Sequence, residues 1–175
     1  IKETKNIENY IFQYNTKSHY ADRREAIERV AEHQQTNKNA FNTLVKALND
    51  PYYELRILAL EKIDLFQKYN KKETILKIER MAQFEEKTIV QASAIKVLGK
   101  LIDPAYKLLF EKGLESESFA VIEASLSSLY QIDKTAALEK IILLDAEIKE
   151  FLGDAITAIY IHEKDKTKLS FISKK

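Results

Sequence analysis

A small residue followed by an aliphatic, with another aliphatic three positions later, recurs along this chain: Ala26-Ile27 with Val30, Ala59-Leu60 with Ile63, Ala94-Ile95 with Leu98, Ser125-Leu126 with Leu129, and Ala155-Ile156 with Ile159. Positions 26, 59, 94, 125 and 155 follow one another at 33, 35, 31 and 30 residues. Self-similarity at a period of 20 to 50 residues marks an architecture in which each unit buries its apolar face only against its neighbours. Within such a unit the small residue lets one helix approach another closely, and the aliphatics fill the groove one turn on.

The hydrophobic period says the units are helical. Apolar residues at i, i+3, i+4 and i+7 mark one face of a helix, as in Ile7-Tyr10-Ile11-Tyr14, in Phe41-Leu44-Val45-Leu48, and in the stripe from Ile148 through Phe151, Leu152, Ala155, Ile156 and Ile159 to Tyr160. Leu55 to Ile63, Ile89 to Ile102 and Phe119 to Leu129 are apolar more than halfway round, which predicts burial between layers. Three glycines and two prolines leave few turn-formers for hairpins. Helices are expected over about 6–15, 20–34, 38–48, 51–64, 72–84, 87–102, 104–114, 118–131, 134–144 and 146–162. Asp50-Pro51 and Asp103-Pro104 supply an N-cap aspartate followed by a proline at the first helical position. Lys71-Lys72-Glu73 and Glu115-Ser116-Glu117-Ser118 read as short polar connectors. Gly99 and Gly153 are expected at close helix contacts, and Gly113 in the last turn of its helix.

The segment from Asp50 to Ile63 resembles the second helix of a HEAT repeat, with Asp50, Pro51, Leu55, Arg56 and Ala59 in the signature positions. The other repeats carry Gln91, Ile122 and Leu152 where the arginine would stand, and the tryptophan, glycine and proline positions of the tetratricopeptide repeat have no counterparts. The expected fold is therefore all-α: a right-handed α-α superhelix, a HEAT/ARM-like solenoid of about five helix pairs, with residues 1–175 forming a single repeat domain. The chain opens on Ile1 and ends on Lys175, and it is expected to be a piece of a longer protein.

Chemistry-bearing motifs are scarce. The histidines are His19, His33 and His162; His162-Glu163 begins a zincin-like string, but Lys166 occupies the second histidine's place, so each histidine is expected at a surface or a helix end. There is no cysteine, hence no thiolate ligand and no cysteine nucleophile, no Gly-x-Ser-x-Gly elbow, and no glycine-rich phosphate loop. Glu85-Glu86, and Asp145 with Glu147, are expected to be solvated charges. No catalytic, cofactor-binding or metal-binding residue is assigned. Lys+Arg 28 against Asp+Glu 27 lacks the basic excess of a nucleic-acid binder, and no run of apolar residues approaches a membrane span. Arg23-Arg24 with Arg29 admits two readings, a salt-bridged helix face that includes a Glu25–Arg29 pair, or a carboxylate- or phosphate-binding spot. Lys164, Lys166, Lys168, Lys174 and Lys175 form a basic end, read as solvated.

Longer strings look like the C-terminal helical domain of aminopeptidase N-type zinc metallopeptidases of Bacteroidetes-type bacteria. Tyr10-Ile11-Phe12-Gln13-Tyr14 followed by Tyr20-Ala21-Asp22-Arg23-Arg24-Glu25-Ala26-Ile27 resembles the start of that domain. The run from Ala92 to Leu101, then Leu109 to Leu114, and finally Leu152 to Tyr160 continue it in the same order. The resemblance implies a non-catalytic domain that covers the mouth of the active site and limits peptide access. It places the zinc and the substrate-anchoring glycine-rich motif in an upstream catalytic domain. That domain is the implied partner, against which Ile7, Tyr10 and Ile11 are expected to pack, and peptide is the implied substrate. A free-standing HEAT-like adaptor for a protein or peptide is the alternative, and the compartment is left open.

Overall fold

A computed structural model describes residues 6–66, 69 and 71–163, and all regular structure among them is helical. The chain divides into two compact units, Ile1–Val97 and Leu98–Lys175. The first contains α1 (Ile7–Thr16), α2 (Tyr20–Ala31), α3 (Lys38–Ala47), α4 (Tyr53–Lys62), α5 (Lys71–Phe84) and most of α6 (Thr88–Gly99). In it α1 packs on α2 and α3, while α2 packs on α3 and α4. The second contains a 3-10 turn (Pro104–Tyr106), α7 (Lys107–Gly113), α8 (Phe119–Ile132), α9 (Lys134–Leu143), α10 (Ala146–Phe151) and α11 (Gly153–His162). There α8 is the centre, touching α7, α9 and α11.

The recurring triplets form the core. Of their fifteen positions all but Ala155 are buried, and Ala26, Ile27, Val30, Ala59, Leu60, Ala94, Leu98, Leu126 and Leu129 are fully so. Leu55, Val121 and Ile122 join them, whereas Ile89 and Ile102, at the ends of their predicted buried run, are exposed.

Several boundaries depart from expectation for visible reasons. Pro51 does not open α4: the Asp50 carboxylate accepts the Tyr52 N–H at 2.9 Å, Tyr52 becomes the N-cap, and the helix starts at Tyr53. Pro104 does follow its Asp103 cap, but it opens a 3-10 turn before α7. Lys71, Lys72 and Glu73 are the first turn of α5, not a connector. The helix expected over 146–162 breaks at Leu152, whose φ of −86° and ψ of 12° lie outside the helical region. There the Leu152 side chain is buried and the Phe151 ring stacks on Phe119 with centroids 3.8 Å apart. Ile102, at φ 52°, is the single non-glycine residue with positive φ among those described, and it closes the turn after α6 where a β-branched residue is strained. The basic end from Lys164 onward lies outside the described residues.

Glutamines, two of them buried and Gln91 half-buried, join neighbouring helices. Gln13 Nε2 donates to the Asp22 carbonyl at 2.7 Å and to Glu25 at 2.8 Å. Gln34 Nε2 donates to the Lys62 carbonyl at 2.8 Å while its Oε1 accepts the Asp64 N–H at 2.8 Å. Gln91 Nε2 reaches the Ala82 carbonyl at 3.0 Å. The Lys62 and Ala82 carbonyls lie in the last turns of α4 and α5, where a helix terminus leaves carbonyls without an intrahelical partner.

Gly99 sits at a close contact as expected, Gly153 does not, and Gly113, in the last turn of α7, does. A Cβ on Gly113 would lie 2.9 Å from the Ser125 Cβ, and one on Gly99 would lie 2.8 Å from the Ser128 Cβ; at Gly153 it would meet nothing within 4 Å. Gly113→Ala is therefore expected to cost about 1–3 kcal/mol through overpacking, while Gly153→Ala is expected to be neutral or to stabilise by up to about 1 kcal/mol through helix propensity. Urea unfolding of both variants checks this, and equal effects would contradict it.

Candidate functional site

The most densely bonded polar group in the first unit is Asp50, 2% exposed in the turn between α3 and α4. A buried carboxylate is tolerated only when its oxygens are matched by charge and donors. Here the Tyr14 hydroxyl of α1 donates to Oδ2 at 3.0 Å, the Tyr52 N–H donates to Oδ1, and Arg23 Nη2 of α2 lies 3.3 Å from Oδ1. The backbone carbonyl of Asp50 accepts Arg56 Nη1 at 2.8 Å, and Arg56 Nη2 continues to Glu85 at 2.9 Å. The Arg23 guanidinium lies 5.1 Å from the centre of the Tyr52 ring, which meets Tyr20 edge to face at 5.7 Å. Burial, then the adjacent Asp50 carboxylate, raise the Tyr14 phenol above its ordinary value.

This knot decides the arginine cluster. Arg23 is turned inward to Asp50, Arg24 pairs with Glu28 at 3.2 Å, and Arg29 pairs with Glu32 at 3.3 Å. Glu25, the expected partner of Arg29, accepts Gln13. The cluster is thus spent on protein carboxylates. Glu85 is likewise bound to Arg56, whereas Asp145 and Glu147 are exposed.

Beside the knot lies an open cavity of about 690 Å³, lined among others by Asn15, Lys17, Asn42, Lys46, Asn49 and Lys77 from α1, α3, α5 and their adjoining turns. A second depression of about 580 Å³ shares Asn49 and Lys77 and carries Leu76, Arg80, Met81 and Phe84. Leu76 and Phe84 are 49% and 76% exposed. Lys46 lies 5.9 Å from the centre of the Tyr14 ring and donates to Asn15. The Lys77 ammonium donates to the Val45 carbonyl at 2.8 Å, and burial holds its pKa below the usual lysine value.

In the second unit, the hydroxyl of buried Tyr130 lies 2.8 Å from His162 Nδ1 and donates to Glu163, which also pairs with Lys134 at 3.3 Å. Burial and the Glu163 hydrogen bond push the Tyr130 phenol up to about 12, and the same bond holds the Glu163 carboxyl below its ordinary value. Asp133 caps α9 by accepting the Ala136 N–H at 2.9 Å and pairs with Lys107 at 2.7 Å. The Ala136 bond, then Lys107, keep its carboxyl low.

The histidines stand apart: His19 caps α2, His33 is exposed after it, and His162 ends α11. Among the described residues no group of three or more His, Cys, Asp or Glu side chains is arranged to hold a metal ion, and no helix is long and apolar enough to cross a membrane. The lysine-lined cavity was not foreseen from sequence, since its cations lie singly on separate helices. The chain is, by class, an all-α protein whose neighbouring helices are joined by side-chain hydrogen bonds. No protein-family model matches it, and no curated protein does.

Removing Asp50 leaves Arg23 as an uncompensated buried cation, so Asp50→Ala is expected to lower stability by about 3–5 kcal/mol, against less than about 1 kcal/mol for Glu28→Ala at the exposed Arg24 pair. Chemical denaturation of both checks the contrast. Alkaline stability follows from Tyr14 and Tyr130. Their phenols titrate higher folded than unfolded, so above about pH 10 the unfolded chain loses protons that the folded chain keeps, and stability falls as pH rises. The urea midpoint is expected to decline from pH 10 to 11.5, more shallowly in Tyr130→Phe; an unchanged slope would contradict the assignment.

Proposed function

We propose that the chain is a non-catalytic HEAT-like superhelical domain that serves an aminopeptidase N-type zinc metallopeptidase as its C-terminal domain, covering the active-site mouth and restricting peptide entry. The observation that carries it is order: the strings that resemble that domain fall in sequence on α1 with α2, on α6, on α7 and on α11, and their small-plus-aliphatic positions build the core. The first helix supports it further. Phe12 is 65% exposed, and Ile7, Tyr10 and Ile11 are only half-buried, leaving apolar surface for the upstream catalytic domain to cover.

Zinc, in this proposal, belongs to that upstream domain and peptide is its substrate. The lysine-lined cavity of the first unit favours the second reading, an adaptor that binds a peptide or protein without a parent enzyme. The coding sequence separates them: an upstream His-Glu-x-x-His in the same frame supports the aminopeptidase domain, and a start codon at the first residue with a stop after Lys175 supports the adaptor. The chain alone, supplied with zinc and aminoacyl-anilide substrates, is expected to release no product; zinc-dependent hydrolysis would refute a non-catalytic role.

A further inference from the structure

The two depressions of the first unit form one surface, joined at Asn49 and Lys77. Its two ends differ in chemistry. At one end Lys17, Lys46 and Lys77 present ammonium groups from three neighbouring stretches of chain; at the other, Leu76 and Phe84 stand exposed on α5 with Arg80 between them. The nearby carboxylates of Asp50 and Glu85 are committed to Arg23 and Arg56, which leaves Glu73 as the remaining acid in the lining. Among the described residues neither Lys17 nor Arg80 has an ion-pair partner. The amides of Asn15, Asn42 and Asn49 offer both donors and acceptors along the way.

We propose that this surface binds an extended peptide segment carrying spaced carboxylates followed by a large apolar side chain. The lysines belong to three separate stretches, α1's end, α3 and α5, with Lys77 bonded to Val45 of α3. Taking the separation of neighbouring helices, about 8–10 Å, as the step, a chain rising about 3.3 Å per residue places a carboxylate about every third residue. An apolar residue one further step on reaches Leu76 and Phe84. An acidic, partly apolar peptide matches both halves, whereas a phosphate backbone would use the lysines alone. The assignment goes beyond the aminopeptidase proposal and stands or falls without it, because it concerns binding to this chain by itself.

The test uses the full 175-residue chain and a fluorescein-labelled decapeptide with glutamate at its first, fourth and seventh positions and phenylalanine at its tenth, read by fluorescence anisotropy. Saturable binding is expected, weakening as salt is raised from about 50 to 200 mM. K17Q/K46Q is expected to weaken it about tenfold and F84A about threefold; all three side chains are exposed, and unchanged circular dichroism confirms the fold of the variants. No saturable binding, equal binding of a peptide with glutamine for glutamate, indifference to K17Q/K46Q, or equal displacement by a thymidine decanucleotide would each overturn the proposal.

Discussion

Two helices can lie against each other only where the side chains between them leave room, and in this chain that room comes from alanine, serine and glycine at fixed places. Gly113 meets Ser125, Gly99 meets Ser128, and Ala26 and Ala59 are fully buried on α2 and α4. The Ser125 hydroxyl has no hydrogen-bond partner, a state that costs about 1–3 kcal/mol for a buried polar atom. Alanine would fit the same space without that cost, so Ser125→Ala is compatible with the close contact at Gly113. The adjacent aliphatics, Leu126 and Leu129, can be buried completely because the backbones are already close.

Apolar packing of this kind has little direction, and buried or half-buried polar groups supply it. Gln13, Gln34 and Gln91 bond backbone carbonyls of the neighbouring helix or its flank. Arg56 does the same for the turn at Asp50, then fixes that turn to the end of α5 through Glu85. Gln91 stands where a HEAT-like signature would put an arginine, and it too serves a carbonyl. Arg56 and Gln91 thus perform the same task with different side chains, while Ile122 and Leu152, at the same place further on, are buried aliphatics. A slip of one residue in any of these helices would bury these groups unpaired, which is a larger penalty than the slip of an aliphatic by the same amount.

Helix existence was legible because the apolar period of α3, α6 and α8 is long and regular, and the recurring triplets named the core correctly up to Ala155. What was not legible required knowledge of the third dimension. Asp50 was assigned to α4 as a cap, yet its oxygens are filled from α1 and α2, and that pull displaced the start of α4 to Tyr53. Arg29 pairs with Glu32, and Glu25 accepts Gln13 from twelve residues earlier, a bond that no helical period announces. Leu152 fits a continuous stripe, yet the chain breaks there, between Phe151, stacked on Phe119, and Gly153, a residue that favours a helix end. Lys17, Lys46 and Lys77 carry no local signal, since each sits among ordinary surface residues of its own helix.

Whether those lysines serve the helices or a ligand can be judged from magnitudes. Lys46 is in the last turn of α3 and Lys17 follows α1, where a cation gains about 0.3–1 kcal/mol from the helix dipole. Dipole compensation therefore explains both at small benefit. It does not explain Lys77, which lies in the middle of α5, far from either terminus. Its bond to the Val45 carbonyl is won against burial that disfavours its charge, and Glu73, one turn earlier on α5, lines the same depression. A Glu–Lys pair four residues apart on a helix contributes only about 0.2–0.5 kcal/mol, so local helix energetics account for Lys77 weakly as well. What the surface adds is position: Lys77 stands at the junction between the lysine end and the Leu76–Phe84 end, where an anionic segment would meet it.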